Sequence, residues 1–256
     1  MDLTISPLVP SGVGAPGVYV RSVDFPSTVR QLSKAQKPAR GVPGYSRFVN
    51  RPAGRLLAAA AHRIGLSPNH VTAASGLVTF PAIAAIALHP PTPALGAWVT
   101  LALLVGFALD SADGQLARLH GSAGPAGAWM DHVVDCAKLL SVHAAVLISF
   151  YRFFDLPHPV VLLVPITFQF AAVLLFFGGM LTEQLRRRAT DAQVAPVRQA
   201  STVRGIALLP VDYGLLCLLF LFLGHEDLFL AVYAALLAAH LVLVPAFFVK
   251  WFRELS

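Results

Sequence analysis

From residue 71 onward the chain runs in six apolar segments, at roughly 71–89, 94–117, 127–150, 158–181, 206–224 and 227–249. A helix needs about 20 residues to cross the hydrocarbon core of a bilayer, and each segment is close to that length. The pattern predicts an all-α polytopic membrane protein with six transmembrane helices. Turn-forming residues punctuate the breaks: Pro90, Pro91 and Pro93; Gly121, Gly124 and Pro125; Pro157 and Pro159; and Gly224. Ahead of the first segment, residues 46–65 carry Arg47, Arg51 and Arg55 at four-residue spacing, with Phe48, Leu56, Leu57 and Ile64 among them. That pattern predicts a basic amphipathic helix lying at a membrane surface, where anionic lipid favours its arginines; an ordinary soluble helix is the alternative. Residues 1–45 are rich in Pro and Gly and read as loop or disorder. Residues 46–256 then form one membrane domain.

Composition agrees with this layout. Only 12% of residues are charged and 56% are hydrophobic, against about 25% charged in a soluble domain. With the N-terminus placed in the cytoplasm, only Arg152 of the nineteen Lys and Arg residues falls on the outer side, and Lys138 lies within a span. The rest lie on the cytoplasmic side or at its boundary, which is the positive-inside pattern. It accounts for the net charge of +6 with no nucleic-acid partner. Residues 1–45 hold no apolar signal-peptide core. Cys136 and Cys217 sit in apolar stretches outside any metal-ligand spacing and read as small core residues.

Against this apolar background, Asp110, Asp113, Asp131 and Asp135 cluster at the ends of the second and third spans. A carboxylate in a membrane segment costs about 2.5–3.5 kcal/mol on insertion scales. Four of like charge call for neutralisation, which a divalent cation supplies. Spacings of three and four residues put each pair on one helix face. The short connection 119–126, with Gly121, Gly124 and Pro125, makes the two helices antiparallel neighbours whose pairs face each other. Hard oxygen ligands without His or Cys favour Mg2+ or Mn2+ over zinc. Gly114, Ala117 and Gly127 leave room for a ligand or for close helix packing, and Arg118 offers a bidentate phosphate contact. A single aspartate pair would fit a proton relay or an ion path equally well.

Residues 110–135 read D-S-A-D-G-Q-L-A-R, eight residues, then G-A-W-M-D-H-V-V-D. This resembles the CDP-alcohol phosphotransferase motif D-x2-D-G-x2-A-R-x8-9-G-x3-D-x3-D, with every fixed position matched: Asp110, Asp113, Gly114, Ala117, Arg118, Gly127, Asp131 and Asp135. The six-span layout, the basic helix before it and S-P-N-H-V-T from Ser67 to Thr72 extend the resemblance over about 46–250. It implies that Asp110, Asp113 and Asp131 ligate metal. Asp135 would complete that site and act as general base on the acceptor hydroxyl. Asp113, Gly114, Ala117, Arg118 and Gly127 would hold the cytidine diphosphate, with Asn69 and Thr72 lining the same pocket. The implied partners are a CDP-alcohol donor, an alcohol acceptor and membrane lipids, and a homodimer is common in the family.

The substrates are open at this level. Phosphatidyl transfer from CDP-diacylglycerol is the first reading, with the plasma (inner) membrane of a bacterium as its location and both termini and the active site cytoplasmic. Transfer from a CDP-linked polar alcohol such as CDP-inositol is the second, and a non-enzymatic cation or proton carrier the third. Lys138, Arg186, Arg198 and Arg204 are candidates for binding a phosphorylated acceptor. Lys138 also fits a paired or snorkelling residue, the arginines fit membrane orientation alone, and Asp212 fits a salt bridge with Arg204 or an acceptor contact.

Overall fold

The computed structural model describes residues 24–34, 36, 41–122, 124–190 and 202–256, and every regular element among them is helical. The expected disorder of residues 1–23 falls outside the described residues. The chain is an all-α integral membrane protein. Helices α1 (Phe25–Lys34) and α2 (Arg51–Arg63) precede the long apolar helices α3 (Pro68–Leu88), α4 (Pro93–Leu119), α5 (Pro125–Phe153) and α6 (Leu163–Thr190). The short helices α7 (Thr202–Ala207) and α8 (Tyr213–Leu219) follow, then α9 (Glu226–Leu255). Five helical stretches among the described residues are long and apolar enough to cross a membrane: α3, α4, α5, α6 with its preceding turn, and α9.

Two elements differ from the sequence reading. The segment at 206–224 is not one long helix; its apolar helical part is Tyr213–Phe222. Pro210 lacks an amide hydrogen, and Asp212 stops the chain there by accepting from the Gly214 amide at 3.1 Å as the N-cap of α8. Helix α1, for its part, lies inside the stretch read as loop. The Ser27 and Thr28 hydroxyls donate to the Asp24 carbonyl at its start, and Leu32 is buried with Ala58, Ala59 and Leu116 in a small apolar cluster. An amphipathic ten-residue helix is marginal alone, so packing on α2 supplies its stability.

Helix α3 packs along both α4 and α5, which do not pack closely on each other. The antiparallel neighbours expected from the short 119–126 connection therefore stand apart, with α3 as the common backing. The connection itself reverses the chain as the sequence indicates. Gly121 takes φ +61°, a conformation that favours glycine, and the Ser122 amide closes on the Ala117 carbonyl at 3.0 Å. Pro125 then starts α5. The apolar core includes Phe150, Phe168, Phe220, Phe229 and Tyr233. Phe150 lies fifteen residues past Asp135, about 22 Å along α5, so this aromatic core braces the bundle well away from the carboxylates.

Helix α2 crosses the carboxylate end of α4. Gly54 makes that approach possible, since a Cβ there would lie 2.7 Å from both Cβ and Oγ of Ser111. Gly54→Val overpacks the contact and is expected to cost about 1–3 kcal/mol. A lowered thermal midpoint of the detergent-solubilised chain is the measurement, and an unchanged midpoint would show that α2 is not seated on α4 as described.

Candidate metal and nucleotide site

The site lies where the second half of α4 and the first turns of α5 meet the start of α3. Ser67 caps α3 by accepting from the His70 amide at 3.3 Å, while the His70 ring accepts from the Ser67 amide at 3.4 Å. With Pro68 at its first position, this fixes Asn69 and Thr72 on the opening turns of α3. The Thr72 hydroxyl donates to Asp113 Oδ2 at 2.6 Å. Asp113 itself is buried, at 4% exposure. The hydroxyl thus holds one carboxylate oxygen while the other is left for a ligand.

Asp110, Asp113 and Asp131 each offer an oxygen, and these three atoms lie within 4.8 Å of one another. This is the clustering anticipated from the spacing, achieved across the gap between α4 and α5. Three hard oxygens this close suit a divalent ion of the Mg2+ or Mn2+ type. Asp135 is not in that group. Its Oδ1 instead lies 3.2 Å from Lys138 Nζ, one turn further along α5. Lys138 Nζ also pairs closely with Asp110 and donates to Ser75 Oγ at 3.0 Å. Lys138 is therefore a buried, paired residue; it does not snorkel to the interface.

The two motif glycines border open space. A Cβ on Gly114 would come only as near as 3.5 Å to Arg118 Nη1, and one on Gly127 only 3.6 Å to Asn69 Oδ1. Gly114, Arg118, Gly127 and Asn69 thus border the approach to the carboxylates, where a small side chain leaves space for a ligand. Ala117 lies one residue before Arg118 on α4.

Sequence reasoning missed two supports. Gln115, almost fully buried, donates to the Arg51 carbonyl at 3.1 Å and accepts from Gln36 Nε2 at 2.6 Å, tying the pre-span segment to α4. Ser75 donates to the Gly106 carbonyl at 2.7 Å, and so turns its oxygen lone pairs to Lys138. Asp212 makes neither contact weighed for it: it accepts from the Ser46 amide and hydroxyl, each at 2.8 Å, and pins the start of the basic helix to α8. Arg186 forms an ion pair with Glu254 at 3.2 Å on the last turns of α9. Arg198 lies outside the described residues, as does the side chain of Arg204.

Beside the carboxylates a cavity of about 360 Å³ opens between α4, α5, α6, α8 and α9. Asp110, Asp135, Lys138 and Asp212 give it polar walls, and Phe168, Leu175, Phe176, Leu216, Phe247 and Trp251 apolar ones. A charged wall next to an apolar chamber suits an amphiphile, with its polar group at the carboxylates and its chain among the aromatic rings.

A family model described as CDP-alcohol phosphatidyltransferase matches residues 66–246, a span that holds every carboxylate, both glycines and the arginine of the site. No curated protein matches the chain.

Proposed function

The chain belongs to the CDP-alcohol phosphatidyltransferase family, and from that premise we propose that it transfers a phosphatidyl group from CDP-diacylglycerol to an alcohol, releasing CMP, in a metal-dependent step of phospholipid synthesis. The observation that carries this reading is the trio of carboxylate oxygens within 4.8 Å beside an arginine and two glycines that border open space. The apolar chamber that adjoins Asp135 supports a lipid substrate over a fully polar pair.

Asp110, Asp113 and Asp131 would hold the ion, with Asp113 oriented by Thr72. A divalent ion bound there polarises a phosphoryl oxygen and neutralises the charge of a departing nucleotide. Arg118, next to Gly114 at the edge of the site, meets the diphosphate. Asn69 and Gly127 line the neighbouring wall for the cytidine portion. Asp135 faces the chamber from the other side and is placed to take the proton of an acceptor hydroxyl that enters there. The bond formed joins the acceptor oxygen to the phosphorus of the phosphatidyl group. The bond broken joins that phosphorus to the oxygen bridging it to CMP. The ion pair of Arg186 with Glu254 argues against Arg186 as the first anchor of a phosphorylated acceptor.

The test is incubation of the purified chain with CDP-diacylglycerol, Mn2+ or Mg2+ and a panel of acceptors, followed by lipid extraction and mass spectrometry. CMP release that requires metal and tracks a new phospholipid is the expected result. Release from CDP-linked polar alcohols alone would move the reading to the second donor class. No release from any CDP-alcohol would return the aspartates to ion transport.

A further inference from the structure

We propose that the ammonium of Lys138 stands where a second divalent cation would otherwise bind, so that the centre works with a single metal ion per chain. The inference rests on the phosphotransfer reading of the carboxylates and concerns how their charge is balanced. Of the four motif aspartates, three offer oxygens within 4.8 Å of one another, and the fourth, Asp135, does not join them. Between Asp110 and Asp135 sits Lys138 Nζ, bonded to both. In two-ion centres, carboxylates bridge cations about 3.5–4 Å apart that clamp the attacking and leaving oxygens. Asp110 has that bridging place here, with the trio on one side and an ammonium on the other.

The ammonium has a built seat. Its three donors meet three oxygens from three helices: Ser75 on α3, Asp110 on α4 and Asp135 on α5. The Ser75 hydroxyl is committed to the Gly106 carbonyl, so only its lone pairs face the lysine. The side chain is 4% exposed and its stem is enclosed by the bundle. A cation tethered to α5 cannot dissociate as a metal ion can. An ammonium is a point charge without Lewis acidity. Its work is to offset the repulsion between Asp110 and Asp135 and to aim Asp135 at the chamber. Lys138 is thus a positioning residue that acts through the two carboxylates.

Metal counting tests this without relying on turnover. The full chain, purified in detergent and stripped of metal, is equilibrated with Mn2+ in the presence and absence of CDP-diacylglycerol. Bound ion is then counted by elemental analysis and its coupling read by electron paramagnetic resonance. The expected result is about one ion per chain with an uncoupled spectrum, and a metal-activation curve of Hill slope near one. Lys138→Met keeps the length and removes the charge. It is expected to admit a second ion, give a coupled spectrum and raise the slope toward two, with turnover at low Mn2+ reduced about a hundredfold. Two ions on the wild-type chain overturn the inference and leave the phosphotransfer reading intact. Zero ions overturn both. A folded Lys138→Met chain that still holds one ion with slope one also overturns it. If that variant does not fold, the wild-type count alone decides. One ion with no CMP release from any CDP-alcohol would remove the reaction and leave the count standing.

Discussion

Asp135→Asn is expected to lower CMP release by about 10²–10⁴-fold, the range a positioned general base contributes, while the chain stays folded and still binds Mn2+. The separation of effects follows from the geometry. Asp135 lies outside the trio of ligand oxygens, so its charge is not needed to hold the ion. Its Oδ1 accepts from Lys138 at 3.2 Å, a bond that the amide oxygen of asparagine can also accept, so the α5 contact survives. What the amide cannot do is take a proton. If an acceptor alcohol enters the adjoining chamber, it meets Asp135 there, and with asparagine in place the attacking oxygen keeps its hydrogen. The loss should appear in kcat, with the apparent affinity for the donor little changed. CMP release within a few fold of wild type would remove the base role from Asp135 and leave the ion site untouched.

The division of labour between these carboxylates was only partly legible in the sequence. Spacing alone put Asp110 with Asp113 and Asp131 with Asp135 on common helix faces, because helical periodicity is local. The one-turn separation of Asp135 and Lys138 was legible for the same reason. That Lys138 also reaches Asp110 was not, because it depends on how far apart α4 and α5 stand. A short connection says that two helices are antiparallel, not that they touch; here α3 backs both and the gap becomes the site. Ser75 and Gln115 were invisible for a related reason. A serine in an apolar run and a glutamine within a motif carry no periodic signal, and their partners are 63 and 64 residues away in the chain for Lys138 and Arg51. The broken segment at 206–224 shows the limit of hydropathy. Apolar length marked it as a span, but Pro210 and the capping Asp212 set the local geometry, and Asp212 then serves the distant Ser46.

Asp113→Ala carries the largest expected effect, because it removes a ligand and not a proton acceptor. Asp113 is the most enclosed of the three oxygen donors and the one held by a second residue, Thr72, at 2.6 Å. Losing it leaves two carboxylates, and the stabilisation a bound ion gives the transition state is worth several kcal/mol, so turnover should fall by about 10³-fold or more. A stability measurement separates this from misfolding. An ion that binds only the folded chain stabilises it by about 2.7 kcal/mol at a hundred times its dissociation constant. The wild-type thermal midpoint should therefore rise with Mn2+. The Asp113→Ala midpoint should not respond to Mn2+, and without metal it should equal or exceed that of wild type, because one of several crowded like charges has gone. The vacated volume is small, and Thr72 can return its hydrogen to the Pro68 carbonyl, 3.2 Å from its oxygen, so little packing is lost. A variant whose midpoint still climbs with Mn2+ as the wild type does would show that the ion is held elsewhere, and the reading of Asp110, Asp113 and Asp131 as its ligands would fall with it.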